Sequence, residues 1–160
     1  MKRMIIAIAF GLSCGFAFGD SISNLSQVVG MDITREVCQS MPVGSGFANW
    51  EITALATLRA IRTGDATNFV ANSTSEMLYR EFEISLTNGV PATFAHAFSQ
   101  TSAEFSRYRI TSYDITTNTV EAVALRLNVQ LGRSTSTNDI SDTINFYMLK
   151  TNDVWKVDGI

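Results

Sequence analysis

From Val123 the apolar residues of this chain fall on every second position. Val123, Leu125, Leu127, Val129 and Leu131 alternate with Ala124, Arg126, Asn128 and Gln130. A period of two predicts a strand with one buried face and one wetter face. The stretch RYRITSYDI before it reads as a strand too, with Thr117–Asn118–Thr119 as the turn between. Arg133 to Asp142 is a polar loop. After it, Ile144, Phe146 and Met148 mark one face of a third strand and Tyr147 and Leu149 the other. Thr151–Asn152–Asp153 turns the chain into a last strand, VWKVDGI, with Trp155 and Val157 on one side and Lys156 and Asp158 on the other.

Upstream the period is three to four. Ile52, Leu55 and Leu58 make one apolar helical face. Asn49 is placed to cap that helix, because its side-chain oxygen accepts from the free amides of the first turn. Glu51 suits the positive end of the helix dipole, and Arg59 and Arg62 the negative end. Gly64 is the expected stop, and Asp65 the cap of a shorter helix through Phe69 and Val70. Ser73 and Glu76 have the spacing of a capping box opening a third helix. Leu78, Phe82 and Leu86 would line it as far as Asn88–Gly89. Pro91 suits the first turn of a fourth, with Phe94, Ala97 and Phe98 on its apolar side. Helices first and an antiparallel meander second predict an α+β domain with helices packed on one face of a sheet.

The beginning of the chain follows neither pattern. Lys2 and Arg3 precede an apolar run from Met4 to Phe18, and Ala17 and Gly19 are small. This is the layout of a secretory signal peptide over residues 1–19, cut before Asp20. The expected location is therefore periplasmic or secreted. A retained anchor, or lipoprotein processing at Cys14, are weaker readings. The run is short for a span of about 20 residues, and no later stretch is long enough, so no membrane span is expected after cleavage. Cleavage leaves Cys38 as the single cysteine, either a small buried hydrophobe or a reactive thiol. Residues 20–47 are a weakly patterned lead-in, with a short helix expected between Ile33 and Met41, and residues 48–160 form the domain.

Composition adds exclusions. The 160 residues are 46% hydrophobic and 17% charged with net charge −3, a globular composition without a basic stripe for nucleic acid. One histidine and one mature cysteine do not make a zinc set. Asp139 and Asp142 lack the spacing of a calcium loop. No metal or cofactor is expected. Sequons occur at Asn24 and Asn72.

LRAIRTGD at the end of the first long helix, and the closing INFYMLKTNDVWKVDGI, are similar to landmarks of the NTF2-like superfamily, the cystatin-like cone. The resemblance covers roughly residues 48–160. It implies a curved sheet around a cavity roofed by helices, with the last strand interior or nearly so. Members of this superfamily include enzymes, carriers and oligomerisation modules, so function has to be read from the cavity lining.

Isomerases of this fold need an acidic base and a Tyr or protonated acid. Tyr79, Tyr108, Tyr113, Tyr147 and Asp114 are present, but sequence alone pairs none of them. Dehydratases use His with a carboxylate. His96 stands between Phe94 and Phe98, with Glu104 too far along for a facing pair. Phe82, Phe94, His96, Phe98, Tyr147 and Trp155 are the candidate pocket residues, although such aromatics also simply fill cores. Three functional readings stay open. The first is an exported non-enzymatic domain binding a small apolar molecule or a protein partner in the concave cavity. The second is a lyase- or isomerase-type enzyme using His96 or a Tyr/Asp pair. The third is a structural module forming a homodimer through its sheet.

Overall fold

The computed structural model describes residues 21–85, 89–104, 108–131 and 140–160. Residues 1–20, where a signal peptide is expected, and Leu86, Asn88 and Asp139 lie outside the described residues, as do the side chains of Glu104 and Ile140. The elements follow the expected order of helices, then strands. They are a 3-10 turn (Leu25–Gln27), α1 (Arg35–Gln39), α2 (Trp50–Thr63), α3 (Ala66–Ala71), α4 (Ser75–Phe82), α5 (Ala92–Glu104), β1 (Tyr108–Asn118), β2 (Ala122–Leu131), β3 (Ile140–Thr151) and β4 (Val154–Gly159). The strands form one antiparallel sheet in the order β1-β2-β3-β4. This is an α+β fold.

The helices start where capping chemistry allows. Asn49 Oδ1 accepts from the amides of Glu51 at 2.7 Å and Ile52 at 3.4 Å. Gly64 ends α2 at φ 69, and an added Cβ would lie 3.1 Å from the Ser99 backbone, so α5 packs close here. Asp65 Oδ1 accepts from Asn68 N–H at 3.0 Å and caps α3. The cap of α4 lies one residue later than the spacing of Ser73 and Glu76 suggests. Thr74 Oγ1 accepts from Met77 N–H at 3.2 Å, while Ser73 Oγ donates to Phe69 O at 2.8 Å. The Thr74 amide is taken by Val157 O at 2.8 Å, and this bond to β4 sets where the helix begins. That helix also stops early, at Phe82. Glu83 takes a left-handed φ of 54, and Ile84 turns into the core.

The inner face of the sheet is made as the alternation predicts. Val123, Leu125, Leu127, Val129, Phe146, Met148, Trp155 and Val157 are all buried. Against them pack Leu55 and Leu58 of α2, Phe69 of α3 and Met77 and Leu78 of α4 in one core. β1 is irregular, with register shifts between Ile110 and Ser112 and between Ile115 and Thr117. Such bulges bend a strand.

β4 is not an interior strand; it lies at the edge of the sheet. Its outer side is nevertheless paired. Trp155 N–H donates to Phe47 O at 2.7 Å, Val157 N–H to Asn72 O at 2.8 Å, and Thr74 Oγ1 to Asp158 Oδ1 at 2.6 Å. The opposite edge is covered at its start by the lead-in: Gly30 N–H donates to Ile110 O at 2.7 Å and Ile33 N–H to Tyr108 O at 2.6 Å. Covered edges do not template pairing with other chains. Residues 21–47 also contribute Ile22, Leu25, Val28, Ile33, Cys38 and Met41 to the core.

Candidate functional site

Two places hold side chains beyond what the core requires. The first is aromatic. Phe69 on α3 is fully buried and meets Phe98 at 4.7 Å, Phe82 at 5.9 Å and Phe94 at 6.4 Å between ring centroids. Phe94 contacts Phe82 at 5.5 Å and Phe98 at 5.6 Å. Phe94 and Phe98 lie four residues apart on α5, which stacks them along one helical face. Phe82 keeps 39% of its surface open, and Phe94 and Phe98 are half-buried. The group is thus closed at Phe69 and accessible at Phe82.

The second place was not foreseen from the sequence. A cleft of about 580 Å³ runs between α1 and the α2–α5 pair. Arg35 of α1 and Arg59 and Arg62 of α2 stand on its walls, with Cys38 at its base and Asp65, Ser99 and Ser102 on the far side. Arg59 Nη1 donates to Cys38 O at 2.8 Å and Met41 O at 2.9 Å, and Arg62 Nε donates to Ile33 O at 2.9 Å. Both arginines suit the last turn of α2 electrostatically, as their positions suggest. Their tertiary task is to tie the lead-in to the helix. Ser102 Oγ donates to Ile61 O, joining α5 to the same wall.

Cys38 is fully buried, and burial pushes its thiol up from 9.0 to about 11, against a smaller opposing pull from Arg62 and Arg59. Burial also raises the Tyr108 phenol. Both shifts favour the neutral form, so the placement of Cys38 is that of a buried apolar group and not of an activated nucleophile. For an acid raised in the folded state, the stabilisation is complete below the unfolded pKa and is lost as pH rises through the folded one. Folded stability should therefore fall between pH 9 and about 11, by on the order of 2 kcal/mol from Cys38 alone. Urea midpoints across that range test this. Cys38→Val should flatten the fall, and an equal fall in the variant would refute the assignment.

The other sequence candidates are dispersed. His96 is exposed on α5 and makes no hydrogen bond or ion pair among the described residues. Tyr147 is 57% exposed on the outer sheet face, opposite Ala124. Trp155 is buried in β4. Asp114 is on the outer face, 3.4 Å from Asn128 Nδ2, while the adjacent Tyr113 packs on the inner side. The sequence set therefore reduces to Phe82, Phe94 and Phe98 as one group, joined by Phe69. Among the described residues no three His, Cys, Asp or Glu side chains are grouped to hold a metal, and no helix is long and apolar enough to cross a membrane. The Asn72 amide is buried and donates to Gly44 O and Asn68 O, both at 2.8 Å, so that sequon is closed in the folded chain.

No family model matches the chain, and no curated protein matches it. Among solved structures it is similar to one described as a calcium/calmodulin dependent protein kinase II association domain from Xanthomonas campestris. The two are 13% identical, the match covers 74% of this chain and 93% of that one, and the TM-score is 0.41.

Proposed function

We propose that the chain is an exported, non-catalytic binding domain built as an NTF2-like cone, holding a small apolar ligand against its phenylalanine group. The observation that carries this reading is the graded burial of that group, sealed at Phe69 and 39% open at Phe82. Covering an aromatic ring removes up to about 150–250 Å² from water, at ~25 cal/mol per Å². A protein partner needs about 800 Å² per side, and three partly open rings offer far less. The non-catalytic part is supported by the separation of His96, Asp114 and Tyr113 described above. Export is supported by the basic and apolar pattern of residues 1–19.

A second reading, a homodimer through the outer sheet face, is favoured by the exposure of Tyr147 and Leu149 there. Native mass spectrometry of the chain purified from its own export compartment separates the two. A small-molecule adduct on a monomer, lost in Phe94→Ala/Phe98→Ala with the circular dichroism unchanged, is the expected result. A bare dimer would move the function to the outer face, and a bare monomer that binds no apolar fluorescent probe would reject both.

A further inference from the structure

We propose that the cleft between α1 and the α2–α5 pair binds a small oxyanion, a carboxylate or phosphate group on a metabolite-sized ligand. The inference is independent of the aromatic group. At about 580 Å³ the cleft falls in the usual range for small-molecule sites, roughly 300–1,000 Å³.

Among the described residues that line the cleft, three arginines, Arg35, Arg59 and Arg62, face one carboxylate, that of Asp65. Both of its oxygens are engaged by Asn68, Oδ1 by the amide at 3.0 Å and Oδ2 by Nδ2 at 2.6 Å. Glu36, next to Arg35, is held below the usual carboxylate range, first by a backbone amide and then by the Thr34 hydroxyl, with smaller contributions from Arg35 and Arg62.

The donors are partly fixed in advance. Arg59 is anchored through Nη1 alone, on Cys38 O and Met41 O. Its Nε and Nη2 make no hydrogen bond among the described residues, and neither does the guanidinium of Arg35. A guanidinium carries five N–H donors in a fork that matches two oxygens of a carboxylate or phosphate. Anchoring one nitrogen orders the Arg59 side chain before any ligand arrives, which lowers the entropy cost of binding. Arg62 adds its charge from the same helix, and the exposed hydroxyl of Ser99 adds a donor on the α5 side.

The test is calorimetric titration of the folded chain with inorganic phosphate and, separately, with succinate. The substitutions are Arg35→Glu and Ser99→Glu, both at exposed wall positions with no structural bond to break, each adding a carboxylate that competes with the ligand. Saturable binding of at least one probe is expected, weakened about tenfold or more by each substitution. Phosphate alone would assign a phosphorylated ligand, succinate alone a carboxylate, and both a site selecting on charge. No binding of either probe would overturn the proposal. So would binding that either substitution leaves within twofold, since the anion would then sit elsewhere.

Discussion

Trp155→Ala should lower the unfolding free energy by about 3–5 kcal/mol, the usual cost of emptying a large aromatic site in a core. The size of the effect follows from what β4 holds. Trp155 is 6% exposed on the inner face of a six-residue edge strand. Its amide donates to Phe47 O at 2.7 Å, and its carbonyl accepts from Thr53 Oγ1 of α2 at 3.3 Å. Two residues on, Val157 pairs with Asn72 and Thr74, and Arg80 Nη2 donates to Asp158 O at 2.6 Å. One short strand therefore ties the approach to α2, α2 itself, the α3–α4 junction and α4 to the sheet. The ring keeps the strand seated while these bonds form. Urea denaturation followed by far-ultraviolet circular dichroism measures the loss, and Trp155→Phe should recover more than half of it. A loss below 1 kcal/mol would mean that the hydrogen bonds hold β4 without the ring.

The parts of this fold legible in the sequence are those where one local rule acts alone. Alternation in β2 gave the inner face because β2 itself is unbroken and pairs with β3 without a register shift from Ala122 to Leu131. Asn49, Gly64 and Asp65 were readable because a cap needs only its own turn. Local rules failed where a distant partner decided. Thr74 displaces Ser73 as the cap because β4 claims its amide. The end of α4 carries no glycine signal, since a glutamate takes the left-handed position. The lead-in shows no periodicity because it is built from a 3-10 turn and a five-residue helix, which bury one side chain each, Leu25 and Cys38, and from three isolated bridges. Of the six candidate pocket residues, the three phenylalanines come together because α4 and α5 both pack around Phe69. The arginine cleft was hidden for a related reason. At the end of a helix an arginine reads as dipole compensation, and only the tertiary fold shows which carbonyls it reaches.

That distinction gives Arg59→Met its expected outcome: a loss of about 2–4 kcal/mol concentrated in the lead-in. Methionine keeps the apolar stem, so packing along α2 changes little, and what disappears is the guanidinium. The carbonyls of Cys38 and Gln39 end α1, where helical acceptors lack the usual partner four residues on, and Cys38 O accepts from Met41 N–H at 3.1 Å. Arg59 Nη1 serves both, with the stronger bond to Cys38, and reaches Met41 O as well. Hydrogen bonds from a charged donor are worth about 1.5–3 kcal/mol each, less whatever water recovers. Other ties hold the lead-in on either side, at Gly30 and Ile33 on β1 and at Arg62 upstream, and at Gly44 and Phe47 downstream. The loosening should therefore be local. Hydrogen exchange at the amides of Cys38, Ser40 and Met41 should accelerate while β2 and β3 stay protected. Arg59→Lys should fall between, because its stem is one bond shorter and its ammonium more strongly hydrated, so it reaches the carbonyls that Nη1 serves less closely. Unchanged exchange over residues 35–41 together with an unchanged urea midpoint would show that packing of Cys38 and Met41 alone holds the segment. Arg59 would then be free to serve only the cleft.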